Sequence, residues 1–168
     1  MKLGGKIHTQ HTVTGIATEG NALKKIKFLN APEISLDSRD VIISSLPITL
    51  TAKLLGFESK LRFRGIRSIY LAYHKTDVLP PGLHWLYYDS EKVHFNRITE
   101  SKRLSRFVAP QDKTLLTAEV TFSKGDPIDS LSDEALEEEI AKQVERVGLA
   151  PRKDLIDSDN HREYFVYP

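Results

Sequence analysis

The clearest strand pattern in the chain is the stretch Thr114-Leu115-Leu116-Thr117-Ala118-Glu119-Val120-Thr121-Phe122. From Leu116 onward its apolar residues alternate with threonine or glutamate, which is the period of a strand with one buried face. This alternation is typical of antiparallel sheets, in which one face packs on the core and the other is more polar. The stretch therefore predicts a sheet that needs a layer of helix over one side.

The residues that follow predict that helix over Asp133–Val147. Ser132 can accept a hydrogen bond from a free amide of the first turn, and Gly148 is a typical helix stop. Four apolar residues recur at helical spacing and predict the buried stripe: Leu136, Ile140, Val144 and Val147.

The remaining pattern predicts an α+β fold, a mostly antiparallel mixed sheet with a few helices packed on it, plus an N-terminal β-hairpin. Alternation and turn residues place the hairpin around Glu19-Gly20-Asn21. The apolar run Asp40–Pro47 predicts a strand buried on both faces. Gly65 interrupts a long strand and predicts a bulge. The other predicted elements are strands at 6–14, 23–29, 61–73, 84–88, 93–98 and 162–167 and a short helix at 48–55.

Composition excludes several classes of function. The 168 residues carry 24 basic and 23 acidic side chains. This balance lacks the excess of positive charge that is typical of proteins that bind nucleic acid or a membrane surface. The absence of cysteine excludes disulfides and thiolate sites, and the six histidines show no zinc spacing. We expect a cytoplasmic protein with no metal site and no catalytic nucleophile.

One group of residues has the character of a binding site: Trp85, Tyr87, Tyr88, Phe95 and Arg97. Arg97 shares a predicted strand face with apolar residues, and an unpaired buried guanidinium is costly. It must therefore either form an internal ion pair, with Glu100 or Glu119, or contact a ligand. Tyr164 could face the same cavity or pack in the core.

The order of these motifs resembles the interior of flavin-dependent amine oxidases, protoporphyrinogen oxidases and especially UDP-galactopyranose mutases. The best matches are Ile43-Ser44-Ser45-Leu46-Pro47 and Arg97-Ile98-Thr99-Glu100-Ser101-Lys102. The resemblance covers nearly the whole chain. It implies that residues 1–47, with the hairpin, derive from an FAD-binding domain, and that residues 48–168 form a substrate-binding domain.

The resemblance also implies roles for individual residues. Val13 matches a strand valine whose backbone contacts the adenine of FAD, and Ser45 and Pro47 match a crossing near the flavin. Arg97 matches an arginine beside the substrate pocket of mutase-like members. Trp85 and Tyr87 match aromatic residues of the substrate wall, and Tyr164 is a further candidate for substrate binding.

The glycine-rich turn that grips the pyrophosphate in this superfamily is absent from the sequence. We therefore expect the chain to be a catalytically silent piece of a longer FAD enzyme, with the rest of that polypeptide and a small-molecule substrate as its partners. The alternatives are a piece of a sugar-nucleotide mutase-like enzyme, a free-standing binding module that lost the flavin domain, and a plain structural or interaction domain.

Titrating the isolated chain into FAD tests this expectation. Without backbone amides aimed at the phosphates, the chain should leave the flavin fluorescence unquenched. Stoichiometric quenching at micromolar concentration would contradict the prediction.

Overall fold

A computed structural model describes residues 4–168 and divides the chain into two compact units. The first unit ends at Leu61 and the second spans Arg62–Pro168. This division lies further along the chain than the one predicted between residues 47 and 48. The assignment of the two parts to cofactor-binding and substrate-binding domains stays a prediction. None of the helices in the described residues is long and apolar enough to cross a membrane.

The first unit is a small antiparallel sheet with one helix. Its strands follow the order β1-β2-β3, and Gly20, with a φ of 57°, forms the hairpin turn. Strand β1 begins at Val13, so the strand predicted from Lys6 was wrong in its position. The turn pairs Glu19 with Ala22 and thereby fixes the register, which leaves residues 6–12 beyond the end of β2. The elements are β1 Val13–Glu19, β2 Ala22–Phe28, β3 Ile34–Ser35 and α1 Ile48–Leu54.

The run Asp40–Pro47 is not the buried strand that its composition predicted. Residues 40–46 are irregular, and Val41 and Ile43 are 85% and 93% exposed. A strand buried on both faces needs neighbours along its edges, and no strand among the described residues pairs with this run. Pro47 does end the run as predicted, since it caps the N-terminus of α1.

The second unit is a five-stranded antiparallel sheet with helices, which confirms the predicted α+β class. The strand order is β5-β6-β7-β4-β8, so the strand that was clearest in the sequence, β7, lies at the centre. The strands are β4 Arg64–Tyr73, β5 Trp85–Tyr87, β6 Arg97–Glu100, β7 Thr114–Phe122 and β8 Leu155–Tyr167; the helices are α2 Ser101–Leu104, α3 Pro127–Ser130 and α4 Asp133–Arg146.

Among the strands of the second unit, the bounds of β6 and β8 differ most from the prediction. Strand β6 contains only the end of the predicted 93–98 strand, and Phe95 lies before it in the core. Strand β8 begins at Leu155, earlier than the predicted Arg162. The polar residues 157–160 hide this half of β8 in the sequence, but β4 pairs with them along its length. The bulge predicted at Gly65 is confirmed by a register shift between Arg64 and Ile66.

Helix α4 covers one face of this sheet. Leu136, Ile140 and Val144 of α4 are fully buried against alternate residues of β4 and β7. The predicted cap is confirmed, because Ser132 Oγ accepts a hydrogen bond from the Ala135 amide at 3.2 Å. Each of these large aliphatic side chains contributes about 1.5–3 kcal/mol by leaving water.

Arg67 in β4 is fully buried on the same face and joins the sheet to the chain that leads into α4. Its Nη1 donates to the carbonyls of Ile128 at 3.0 Å and Leu131 at 2.9 Å, and its Nη2 donates to Asp133 Oδ1 at 2.5 Å. Burial lowers the pKa of Arg67, with a further contribution from Arg162, while Asp133 opposes this shift. The guanidinium thus holds the end of α3 and the first residue of α4.

Replacing Arg67 with methionine should destabilise the second unit by about 2–4 kcal/mol, because two partly buried carbonyls and Asp133 lose their donor. Urea unfolding followed by circular dichroism at the helix band measures the change. Arg64→Met is the matched control, since Arg64 lies on the same strand but is exposed. Equal stabilities of the two variants would show that Arg67 does not hold α4 in place.

Candidate functional site

The sheet face opposite α4, here called the open face, carries a continuous row of polar and aromatic side chains. Cross-strand pairing brings together residues from all five strands in one row: Tyr87, Arg97, Glu119, Ser68 and His161. The neighbouring row contains Trp85, Thr99, Thr117, Tyr70 and Asp159. Residues directly opposite each other in such a sheet are in contact range, so these rows are the natural place for a site.

Arg97 is at the centre of the first row. It forms an ion pair with Glu119, and its Nη1 lies 3.5 Å from the Tyr87 hydroxyl. The guanidinium also lies over the Tyr87 ring, 5.9 Å from its centroid, within the range of a cation–π contact. The hydrogen bond to Glu119 raises the pKa of Arg97, although partial burial opposes the shift. Since a third of the Arg97 side chain remains exposed, the ion pair leaves room for a ligand.

Glu100, the other proposed partner of Arg97, points to the opposite face because it is an odd number of residues away along β6. It is fully buried and accepts from the amides of Val78 at 2.8 Å and Leu79 at 2.9 Å, and from Thr114 Oγ1 at 2.7 Å. Glu100 therefore fixes the loop between β4 and β5. This loop ends directly before Trp85, so Glu100 helps to position the open face.

The predicted aromatic cluster divides between the two faces. Trp85 and Tyr87 are on the open face with Arg97, and they are 47% and 69% exposed. Tyr88 and Phe95 instead form a T-shaped pair in or beside the core, with ring centroids 4.9 Å apart. The structure thus brings together three of the four residues predicted to bind substrate.

Tyr164 is the fourth residue, and the structure does not place it with the others. Its ring packs edge-on against Phe122 at 5.3 Å, and Phe122 belongs to the face covered by α4. Its hydroxyl lies 3.2 Å from Asp129 Oδ1. A hydrogen bond from the Gly125 amide is the main cause that lowers the pKa of Asp129, and Tyr164 and Arg162 add to it. A substrate role for Tyr164 stays a prediction.

The three predicted cofactor contacts lie in the first unit. Val13 borders an open groove of about 450 Å³ that is also lined by Leu50 and Leu54 of α1. Ser45 is exposed in the irregular run, and Pro47 caps α1. Because α1 begins after proline, no glycine-rich turn opens into it. These residues therefore do not fit a complete dinucleotide site, and their contact with FAD stays a prediction.

Several members of the two rows were missed from the sequence, notably Ser68, Tyr70 and His161. The alternation of β4 could have placed Ser68 and Tyr70 on the open face. His161 could not be placed, because the early half of β8 was not predicted as a strand. Among residues 4–168, no cluster of histidine and carboxylate side chains could hold a metal ion.

Two solved structures share this fold. Reduced UDP-galactopyranose mutase aligns with a TM-score of 0.68 at 23% identity, over 86% of this chain and 32% of its own. A protein assigned as a protoporphyrinogen oxidase from Exiguobacterium sp. 255-15 aligns with a TM-score of 0.61 at 18% identity, over 91% and 34%. No family model and no curated protein matches the chain.

The chain shares the fold of a segment of these enzymes. It spans about a third of the length of each. Both enzymes were named in the resemblance that the sequence motifs carry, so that resemblance is confirmed for the fold. At these identities the alignment carries no further detail of the site.

A double-mutant cycle with Arg97→Met and Glu119→Gln should show that the two side chains are coupled. We expect a coupling free energy of about 0.5–1 kcal/mol in urea unfolding, because the pair is partly exposed. The Glu138–Lys142 pair on α4 is the control and should give about 0.3–0.5 kcal/mol. A coupling near zero for Arg97 and Glu119 would contradict the ion pair.

Proposed function

We propose that this chain is the substrate-binding segment of an FAD-dependent, amine-oxidase-like oxidoreductase and that its open face forms the substrate wall. One observation carries the proposal: Trp85, Tyr87 and Arg97 lie together on that face, two of them directly opposite each other in the sheet. A site of aromatic side chains around a single charged group is typical of small-molecule binding.

The three residues have complementary roles in this proposal. The rings of Trp85 and Tyr87 offer exposed apolar surface against which a substrate can pack. The guanidinium of Arg97, held in direction by Glu119, offers donors to an anionic or carbonyl group of the substrate. In such enzymes FAD supplies the redox chemistry, and the protein supplies binding, orientation and electrostatics. This segment accordingly contributes recognition, and catalysis would require the rest of the polypeptide.

The cofactor and partners follow from the same proposal. FAD would be bound mainly by other parts of the whole protein, with Val13, Ser45 and Pro47 at the edge of its site. The chain covers about a third of each of the two solved structures that share its fold, which supports a segment of a larger polypeptide. We place the whole enzyme in the cytoplasm as part of the proposal. We expect no FAD bound by this chain alone.

A mutase-like function on a sugar nucleotide is the second candidate. It is favoured by Arg97, since arginine suits a phosphate-bearing substrate, and by the fold shared with UDP-galactopyranose mutase. A free-standing binding module is the third. The flanking gene sequence separates either enzyme from the module, because an enzyme segment requires a Gly-x-Gly-x-x-Gly turn upstream and a module requires none.

The proposal is tested by Arg97→Ala in the full-length enzyme that contains this segment. Loss of a charged hydrogen bond to the substrate should raise KM by about 10–100-fold. The flavin absorbance spectrum should stay unchanged, since Arg97 is not assigned to the cofactor. Arg64→Ala is the control and should leave KM as it is. An unchanged KM in Arg97→Ala would remove the open face from substrate binding.

A further inference from the structure

A second concave site lies at the end of the sheet where β4 begins and β8 ends. It is a pocket of about 370 Å³ lined by Phe63, Gly65, Lys124, Tyr164 and Phe165. Phe63 and Phe165 form one wall, with their rings at a T-shaped angle and centroids 5.5 Å apart. We name this site the aromatic pocket. Its volume is at the lower end of the range of small-molecule sites.

The floor and one wall of the aromatic pocket are held in place by other contacts. Gly65 lines the pocket, and a Cβ atom there would lie 2.5 Å from Phe122 Cζ and 2.7 Å from the Glu163 carbonyl oxygen, so Phe122 packs directly on the Gly65 backbone. The Tyr164 ring is fixed by its hydroxyl contact with Asp129 and by the Phe122 ring beneath it. The pocket therefore needs little rearrangement before a ligand enters, which reduces the cost of binding.

Lys124 supplies the only charge among the residues that line the pocket. In the described part of the chain no carboxylate lies within ion-pair distance of its ammonium group. The acidic residues nearest in sequence are engaged elsewhere: Asp126 accepts from the Ser123 amide at 2.7 Å, and Asp129 accepts from the Gly125 amide at 2.8 Å. An exposed cation beside three aromatic rings is complementary to an anion carried on an apolar body.

We propose that the aromatic pocket binds a planar aromatic carboxylate of one or two rings. The ring system would pack between Phe63, Phe165 and Tyr164, and the carboxylate would accept hydrogen bonds from Lys124. Offset and edge-on contacts of the kind already present between these rings are favourable for such a ligand. This site shares no residue with the open-face rows, and its Tyr164 wall lies on the side of the sheet that α4 covers.

The test is a titration of the ¹⁵N-labelled whole chain with 2-naphthoate, followed by amide chemical shifts. We expect saturable shifts at Gly65, Gly125 and Phe165. The neutral analogue 2-naphthamide should bind about fivefold more weakly, because an exposed ion pair contributes up to about this factor.

Three variants make the test specific. Lys124→Gln should weaken naphthoate binding about fivefold and remove the preference over naphthamide. Lys92→Gln, which replaces an exposed lysine of another turn, should change neither the affinity for naphthoate nor the preference over naphthamide. Phe165→Ser, at a position that is 57% exposed, should weaken both ligands about tenfold while the amide spectrum shows an intact fold.

Two results would overturn the proposal. One is a set of amide chemical-shift changes confined to other apolar surfaces, such as residues 41–46. The other is equal affinity of the wild-type chain for naphthoate and naphthamide, which would show that Lys124 gives no selectivity for an anion.

Discussion

A guanidinium inside a protein is costly unless its donors are paired, and Arg67 pairs its Nη1 and Nη2 with the chain that leads from α3 into α4. The carbonyls of Ile128 and Leu131 can reach Arg67 only if this connection lies across β4. Helix α4 then starts at Asp133, which the same guanidinium contacts, and its apolar stripe lies on the covered face. One buried side chain thus ties the start of α4 to the face of the sheet that this helix covers.

The open face depends on pairing between distant parts of the chain. Arg97 and Glu119 come from neighbouring strands that are joined by α2 and residues 105–113, and Tyr87 comes from the strand on the other side. The register of β6 between β5 and β7 aligns these three side chains. Glu100 strengthens this register, because it binds the amides of the preceding loop from the covered face. On β6, Glu100 thus supports the loop from the covered face, and Arg97 is the residue proposed to contact a ligand on the open face.

Local patterns were sufficient to predict the elements whose apolar residues recur with a clear strand or helix period. The bounds of β7 follow from its alternation, and the start of α4 follows from Ser132 and its apolar stripe. Which segments pair with each other as strands could not be predicted in this way. The apolar run at 40–47 has the composition of a buried strand but lacks a partner among the described residues, whereas polar residues 157–160 form a strand because β4 pairs with them.

The same distinction applies to the candidate site, where only the residues that are close in sequence could be predicted to lie together. Trp85, Tyr87 and Arg97 are close in sequence and lie on strands that pair with each other, so their proximity could be inferred. Tyr164 is far along the chain, and its face depends on the bulge between β4 and β8. Gly65 predicts that bulge, but it does not predict the face onto which Tyr164 is turned. Glu119 and Glu100 were both candidates for the ion pair with Arg97. The choice required knowing which residues of β6 face the same side of the sheet as Arg97.

Trp85 is the single tryptophan of the chain, and it lies on the open face with nearly half of its surface exposed. Selective excitation of indole therefore observes this face without any engineered label. The emission of a half-exposed indole shifts and quenches when a neighbouring molecule displaces its water. The same residue that forms part of the proposed substrate wall is thus a built-in optical reporter of whatever occupies it.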